Sequence, residues 1–435
     1  MPLPSKRLFY ILSIVALIGL LASVWASLLG VWKVSLYVVM AVAFVDLVLL
    51  YIKQPIEASR DVAGSLPLGV SRHIKLRVHN HSNRSQSLAV YDHYPQQMEA
   101  EGLPISLSIA AQQYADIQYK LVSTERGKFS FPLIQIHLGS LFGLWQRNIC
   151  LEEVSETRVY PNFAAISQYA LLATDNNLSQ LGVIKKRRRG EGQDFHQLRE
   201  YREGDALRQI DWKATSRSRK LISREYQDER DQEIIFMLDC GHRMLAKEDG
   251  LSHFDHTLNA ILLLSYVALR QGDAVGLATF SGEPRWIPPR KGYHTIQNIL
   301  NSIYDLQPSS ESPDFSKAAT DLMIRHKKRA LIIVLTNIRD EDSDDLLPAI
   351  RLLRKRHLVL VSSLREKAID NVLHQEIRKL PDAILNAATH HYLQHRKKAF
   401  EKLVISGVNA VEATPEHLSV ELINSYLNIK RSGTL

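Results

Sequence analysis

Two apolar stretches at the N-terminus limit the possible folds more than any other feature of this chain. Leu8–Leu29 carries no charged residue, and Val34–Ile52 carries only Asp46. Each is close to the ~20 residues a helix needs to cross a bilayer core. Only Gly30-Val31-Trp32-Lys33 separates them, so they read as a tight transmembrane hairpin. A signal peptide is the rival for the first stretch. Its apolar core is usually about 7–15 residues long, and here a second apolar stretch follows at once. Lys6 and Arg7 precede the first stretch, Lys53 and Arg60 follow the second, and Lys33 stands alone in the turn. The bias of basic residues predicts an inner (cytoplasmic) membrane protein with both ends in the cytoplasm. Asp46 is expected to face its sister helix or a partner helix; a role in a pathway through the membrane is the alternative.

The remainder is ordinary in composition and divides by texture. The whole chain of 435 residues allows two or three domains. A formal net charge of +8 suits an anionic membrane surface, an acidic partner or nucleic acid, and selects none of them. Cys150 and Cys240 are the only cysteines, so neither a disulfide framework nor a CxxC zinc site is indicated, and a reducing compartment fits. Residues 1–54 form the hairpin. Residues 55–165 show period-two runs, such as His73–Val78, Ile117–Val122 and Leu133–Leu138, broken by turns at Asn80–Asn83 and Glu125–Lys128. That pattern predicts antiparallel strands in a small β-sandwich. Gly139–Leu144 reads as a simple strand-to-strand connection.

From residue 233 the pattern changes to buried apolar strands alternating with helices. Glu233–Asp239, Ala274–Phe280, Arg329–Thr336 and His357–Ser362 are the strands, with a last one near Val411. Helices are expected at Phe254–Arg270, Tyr293–Leu306, Asp314–His326, Asp344–Arg356, 368–403 and from Pro415 to Lys430. Such alternation predicts a doubly wound α/β domain over 233–435, with ligands expected at the carboxyl ends of the strands.

Between these domains, residues 166–232 hold the densest chemistry. The basic run Lys185–Arg189 reads as a solvated stretch, with lipid head groups or a nucleic acid backbone as functional rivals. After it come Arg189-Gly190-x-Gly192-x-Asp194-Phe195, Arg199-Glu200-Tyr201, Gly204-Asp205, Arg208-x-Ile210-Asp211-Trp212-Lys213, Arg217 and Arg224-Glu225-Tyr226. Charges of both signs alternate with single large anchors: Phe195, Leu198, Tyr201, Ile210 and Trp212. Arg pairs bidentately with carboxylates, so the segment suits a clasp of internally paired charges with its apolar anchors docked. A recognition surface and a catalytic site are the other readings.

This spacing resembles the signature of the domain of unknown function 58 family. The resemblance implies a membrane-tethered protein in which an immunoglobulin-like region precedes the signature. It also implies that the signature leads into a von Willebrand A-like, Rossmann-like domain. Members are commonly linked with MoxR-type AAA+ ATPases, and the resemblance implies no established reaction. A von Willebrand A domain with a working metal site carries Asp-x-Ser-x-Ser after its first strand, a threonine from one later loop and an aspartate from another. Asp239 is present here, but Gly241 and Arg243 stand in the serine places, Thr336-Asn337 stands for Thr-Asp, and the later loop offers Asp314. Gly241 has no ligating oxygen and the Arg243 guanidinium could pair with Asp239, so the site is expected to be degenerate, with Mg²⁺ at Asp239 as the alternative.

Familiar enzyme motifs are absent: GxxxxGK[ST], GxSxG and HExxH do not occur. The scattered histidines, including His390-His391 and His73/His79/His81, read as surface or core residues, and Cys240 as a small buried one. The leading expectation is a non-enzymatic interaction protein with a MoxR-type AAA+ ATPase and its client proteins as partners. The rivals are a metal-dependent hydrolase or nuclease using Asp194, Asp205 and Asp211, and a nucleic-acid binder through Lys185–Arg189.

Overall fold

The computed structural model describes residues 2–51, 56–162, 194–202, 207–227, 232–248 and 250–433. The chain divides into two compact units, Met1–Tyr160 and Pro161–Leu435.

The first unit begins with a three-residue strand, β1 (Pro2–Pro4), followed by helices α1 (Lys6–Val24) and α2 (Leu29–Tyr51). Both helices are long and apolar enough to cross a membrane, which suggests membrane association. The break between them comes earlier than Gly30–Lys33. Trp25 is extended (φ −119°, ψ 98°), and α2 takes in Gly30 through Lys33. A single glycine costs a helix only about 1 kcal/mol, too little to end one this apolar. Gly19 gives the second helix room: a Cβ there would lie 2.7 Å from the Trp32 indole nitrogen.

Eleven further strands follow: β2 (Ile56–Asp61), β3 (Ser65–Pro67), β4 (Arg72–Asn80), β5 (Gln86–Asp92), β6 (Met98–Glu101), β7 (Ile105–Ile109), β8 (Tyr114–Ser123), β9 (Gly127–Phe131), β10 (Ile134–Gly139), β11 (Trp145–Leu151) and β12 (Ser155–Tyr160). They form sheets ordered β1-β11-β10-β5-β7, β2-β4-β8-β6 and β3-β12-β9. Alternate residues of β4, β5 and β10 are buried, as period-two patterning requires. The edge strand β1 pairs antiparallel with β11, a position that tolerates its two prolines. Buried Arg60 links two of the sheets. It donates to both oxygens of Asp92 (2.9 and 2.5 Å) and to the Glu153 carbonyl (2.7 Å), while the Tyr119 hydroxyl donates to Asp92 (2.7 Å). Arg60 is therefore a structural residue of this unit and not a free basic flank of the helices.

In the second unit, β13 (Asp194–Glu200) and β14 (Ile222–Gln227) make an antiparallel pair, with the short helix α3 (Trp212–Ser218) between them. A six-stranded sheet follows. It contains β15 (Glu233–Asp239), then, after a small hairpin of β16 (Lys247–Glu248) and β17 (Leu251–Ser252), β18 (Ala274–Phe280), β19 (Trp286–Arg290), β20 (Leu331–Thr336), β21 (Leu358–Leu364) and β22 (Asn409–Ala413). The order is β19-β18-β15-β20-β21-β22, with all pairs parallel except β18–β19.

The helices are α4 (His253–Arg270), α5 (His294–Ile303), α6 (Phe315–Arg325), α7 (Ser343–Arg354), α8 (Lys367–Leu373), α9 (Leu380–Ile405) and α10 (Leu418–Arg431). Side chains of the central strand go alternately to two cores. Ile234, Phe236 and Leu238 pack with α4, α5 and α10, and Ile235 and Met237 with α6, α7 and α9. Helices thus cover both faces, as expected where strands are apolar throughout. The stretch expected as one helix over 368–403 is two, and Pro381 stands in the first turn of α9, where a proline is tolerated.

Candidate functional site

Two groups of residues in the second unit are candidates: the signature segment and the carboxyl ends of the central strands. In the signature segment, Asp211 is the N-cap of α3. Its Oδ1 accepts from the Lys213 and Ala214 amides (3.0 Å each) and its Oδ2 from Arg224 Nε (2.9 Å). The Ala214 amide first, then the Arg224 guanidinium, hold this carboxyl below the usual carboxylate range. Asp211 N–H donates to the Ile222 carbonyl and Tyr201 N–H to the Leu221 carbonyl, which ties the helix to the strand pair. Glu200 pairs with Lys220 (2.7 Å), and Arg199 Nη1 donates to the Glu200 carbonyl (3.1 Å).

The apolar anchors separate into two kinds. Ile210 is buried, but Trp212 is 68% exposed, and Leu198, Leu207 and Leu221 are also exposed. The expectation that all anchors dock is corrected here. α3 is only seven residues long and leaves Trp212, Lys213 and Arg217 exposed. For Asp194, Phe195, Arg208 and Glu225 the backbone alone is described. Arg189, Gly190, Gly192, Gly204, Asp205 and the basic run Lys185–Arg189 lie outside the described residues.

At the strand ends, the parallel strands run second, first, third, fourth and fifth in chain order, so the sheet reverses direction between β15 and β20. That reversal is where open α/β sheets form their crevice. Asp239, at the end of β15, is fully buried. Its Oδ1 accepts from the Gly241 amide (2.8 Å) and its Oδ2 from Thr336 Oγ1 (2.6 Å). Burial pushes its carboxyl above the usual range, against the pull of Thr336, the Gly241 amide and Arg243. Gly241 is closed in: a Cβ there would lie 2.8 Å from the Glu311 carbonyl oxygen and 3.0 Å from Asp239 Oδ1. A serine could not stand at this position without moving backbone.

Arg243, expected to reach Asp239, instead donates to Asp342 through Nη1 and to Glu341 through Nη2 (2.7 Å). Asp342 precedes α7 and fixes the guanidinium from the far side of the crevice. Asn337 is buried between Arg396, which donates to its Oδ1 (2.9 Å), and Glu366, which accepts from its Nδ2 (2.9 Å). Arg396 also donates to Glu412 (2.9 Å). Burial lowers its affinity for a proton, but Glu412 and Tyr392 together more than restore it. Asp314 caps α6 through the Lys317 amide (2.8 Å). A cavity of about 460 Å³ opens beside it, lined by residues of both signs, among them Arg285, Lys317 and Asp321, with Trp286.

The five positions weighed for a cation therefore supply two engaged carboxylates, an amide, a closed glycine and a guanidinium. This donor set does not fit a divalent cation, which needs several free oxygens and no positive neighbour. Among the described residues no group of three or more His, Cys, Asp or Glu is placed to hold a metal ion. Asp342, Glu366, Arg396 and Glu412 were not singled out from the sequence. Asp342 lies 99 residues from Arg243 and Arg396 lies 59 from Asn337, so no local spacing marks them.

The comparisons with known proteins agree with the signature. The uncharacterized protein YeaD of Bacillus subtilis (strain 168) is 20% identical over 227 residues, covering 52% of this chain and 54% of that protein. The chain thus matches about half the length of this relative. A crystal structure of an aerotolerance-related membrane protein from Bacteroides fragilis, with multiple mutations to serines, is similar at 17% identity and a TM-score of 0.29. It covers 45% of this chain and 98% of that one. A Salmonella alpha-2-macroglobulin mutant is similar at 17% identity and a TM-score of 0.20, covering 24% of this chain and 7% of that one. At such scores neither likeness bears on function. The model of DUF58, a protein family of unknown function, matches residues 197–384. Over residues 197–384 the chain is therefore similar to the DUF58 family.

Proposed function

We propose that this chain is a membrane-anchored interaction protein without a reaction of its own. In this reading α1 and α2 cross the inner membrane and both soluble units face the cytoplasm. The α/β unit is a von Willebrand A-like domain whose metal site has been replaced by ion pairs. The strand reversal, the closed Gly241 and the Arg243–Asp342 pair support that reading.

One observation carries it furthest. The signature segment pairs Asp211 with Arg224 and Glu200 with Lys220, and leaves Trp212 exposed on a short helix that also exposes Lys213 and Arg217. An exposed Trp with cationic neighbours is the composition of an interface anchor and not of a catalytic site. Asp211, one of the three acids a hydrolase here would use, is engaged by the helix cap and by Arg224. By family resemblance the partner is a MoxR-type AAA+ ATPase, acting with client proteins in assembly or maturation of complexes. The test is capture of the tagged full-length chain from gently solubilised native membranes, with co-purifying proteins identified by mass spectrometry. Enrichment of an AAA+ ATPase is expected. Recovery of nucleic acid or of an enzyme complex without the ATPase would overturn the reading.

A further inference from the structure

Asp46 is carried by an apolar helix and yet is fully buried, and what buries it is a loop of the sheet-rich region. Loop 140–144 joins β10 to β11. Asp46 Oδ2 accepts from Ser140 Oγ (2.5 Å) and the Leu144 amide (3.2 Å), and Oδ1 from the Phe142 amide (3.0 Å). The next residue, Trp145, donates its indole N–H to the Ala43 carbonyl (2.9 Å). From α1, the Ser5 amide donates to the Leu144 carbonyl (2.8 Å) and Ser5 Oγ to the Gly143 carbonyl (2.5 Å). Gly143 has φ +71°, and a Cβ there would press on Arg7 Nη1 at 3.0 Å. The expected contact of Asp46 with another helix is thus replaced by a strap around both helices.

This strap leaves two large apolar side chains pointing out. Leu141 is 60% and Phe142 52% exposed. At about 1.5 Å per residue, Asp46 sits about 8 Å inside the Tyr51 end of α2. The exposed residues of α2 at that level are Phe44, Val45 and Val48. Loop tip and helix therefore both carry exposed apolar side chains near this level. Irregular backbone is tolerated at membrane depth only when its polar groups are satisfied internally, and Asp46 does this for two amides and a hydroxyl. Lys6 and Arg7 lie at the adjoining start of α1, where head-group phosphates would be.

We propose that Leu141 and Phe142 insert into the interfacial layer of a phospholipid bilayer, with Asp46 as the internal clamp that makes the loop backbone compatible with lipid. The proposal rests on the reading that α1 and α2 cross the bilayer. The test uses the full-length chain with exposed Cys150 changed to Ser, reconstituted into vesicles of equal parts phosphatidylcholine and phosphatidylglycerol. Cysteines introduced one at a time as Phe142→Cys, Phe44→Cys and Tyr114→Cys each carry an environment-sensitive fluorophore, with Cys240 left in place because it is buried. Lipids spin-labelled near the glycerol end of the acyl chain should quench the Phe44 and Phe142 probes, the latter by about half, as expected about 5–10 Å below the head groups, and leave the Tyr114 probe unchanged. Adding Asp46→Leu should reduce quenching at position 142 while position 44 stays quenched.

A Phe142 probe that behaves like the Tyr114 probe while the Phe44 probe is quenched would overturn the proposal and leave the anchor standing. Shielding of that probe from both lipid and aqueous quenchers would mean that a second copy of the chain covers it, which also overturns the proposal. An unquenched Phe44 probe would overturn the anchor and the loop proposal together.

Discussion

The signature segment and the strand-end crevice are built from the same pairing of Arg with Asp and Glu, but they differ in where the pairs sit. Lys220 and Glu200 face water with side chains 69% and 65% exposed, whereas Arg243 and Asp342 are 5% and 6% exposed. Exposed pairs contribute little because water and salt screen them. Buried pairs gain little net stability when intact and cost much when one partner is removed. The same residue types therefore serve shape and display in the first region and integrity in the second.

The largest expected effect is in the crevice. Arg243→Ala leaves Asp342 buried without its partner and should lower stability by about 3–5 kcal/mol in denaturant melts. The double change Arg243→Met with Asp342→Leu should recover most of that loss. A mild effect of the single change would place the pair in water and erase the contrast.

Next in size is a pH effect at the opposite end of the same sheet. His357, 4% exposed, has both ring nitrogens without a hydrogen-bond partner, and burial with neighbouring His326 and Arg356 pushes its pKa down to about 4. Glu233 and Lys328 face the same cluster through His326 (3.1 Å) and Glu233 (2.8 Å). The unfolded chain takes up this proton first, so stability should be unaffected above the ordinary value of 6.5. It should fall as pH drops from there through about 4, by about 1–3 kcal/mol. His357→Phe should flatten that slope in melts at graded pH; an unchanged slope would assign the effect elsewhere.

At the small end, Lys220→Ala should leave the melting temperature where it is, and a clear drop would mean that the clasp is structural after all. Magnesium should give no thermal shift with the purified soluble part. A saturable shift would show that the crevice still binds a cation despite Gly241 and Arg243.

Much of the architecture was legible because it is written in local periodicity. Two apolar stretches gave α1 and α2, alternating runs gave β4, β8 and β10, and continuous apolar runs gave β15, β18, β20 and β21. The site was less legible because its chemistry is long-range. Arg243 was noticed, but its partner Asp342 stands across the crevice, and the spacing suggested Asp239 instead. The clamp on Asp46 lies 94 residues away in a loop that reads as a plain connection. The strand β1 is three residues with two prolines, and only its pairing with β11 defines it. Exposure of Trp212 was missed because a large apolar residue among charges reads equally as an anchor or as a display.

The most direct test of the account sets stability against binding for that one residue. Full-length chain with Trp212→Ala would be compared with the unaltered chain for thermal melting and for co-purification of an AAA+ ATPase from native membranes. The account predicts an unchanged melting temperature and loss of most of the captured ATPase. ATPase captured at the unaltered level would contradict it and return the signature segment to a purely structural role.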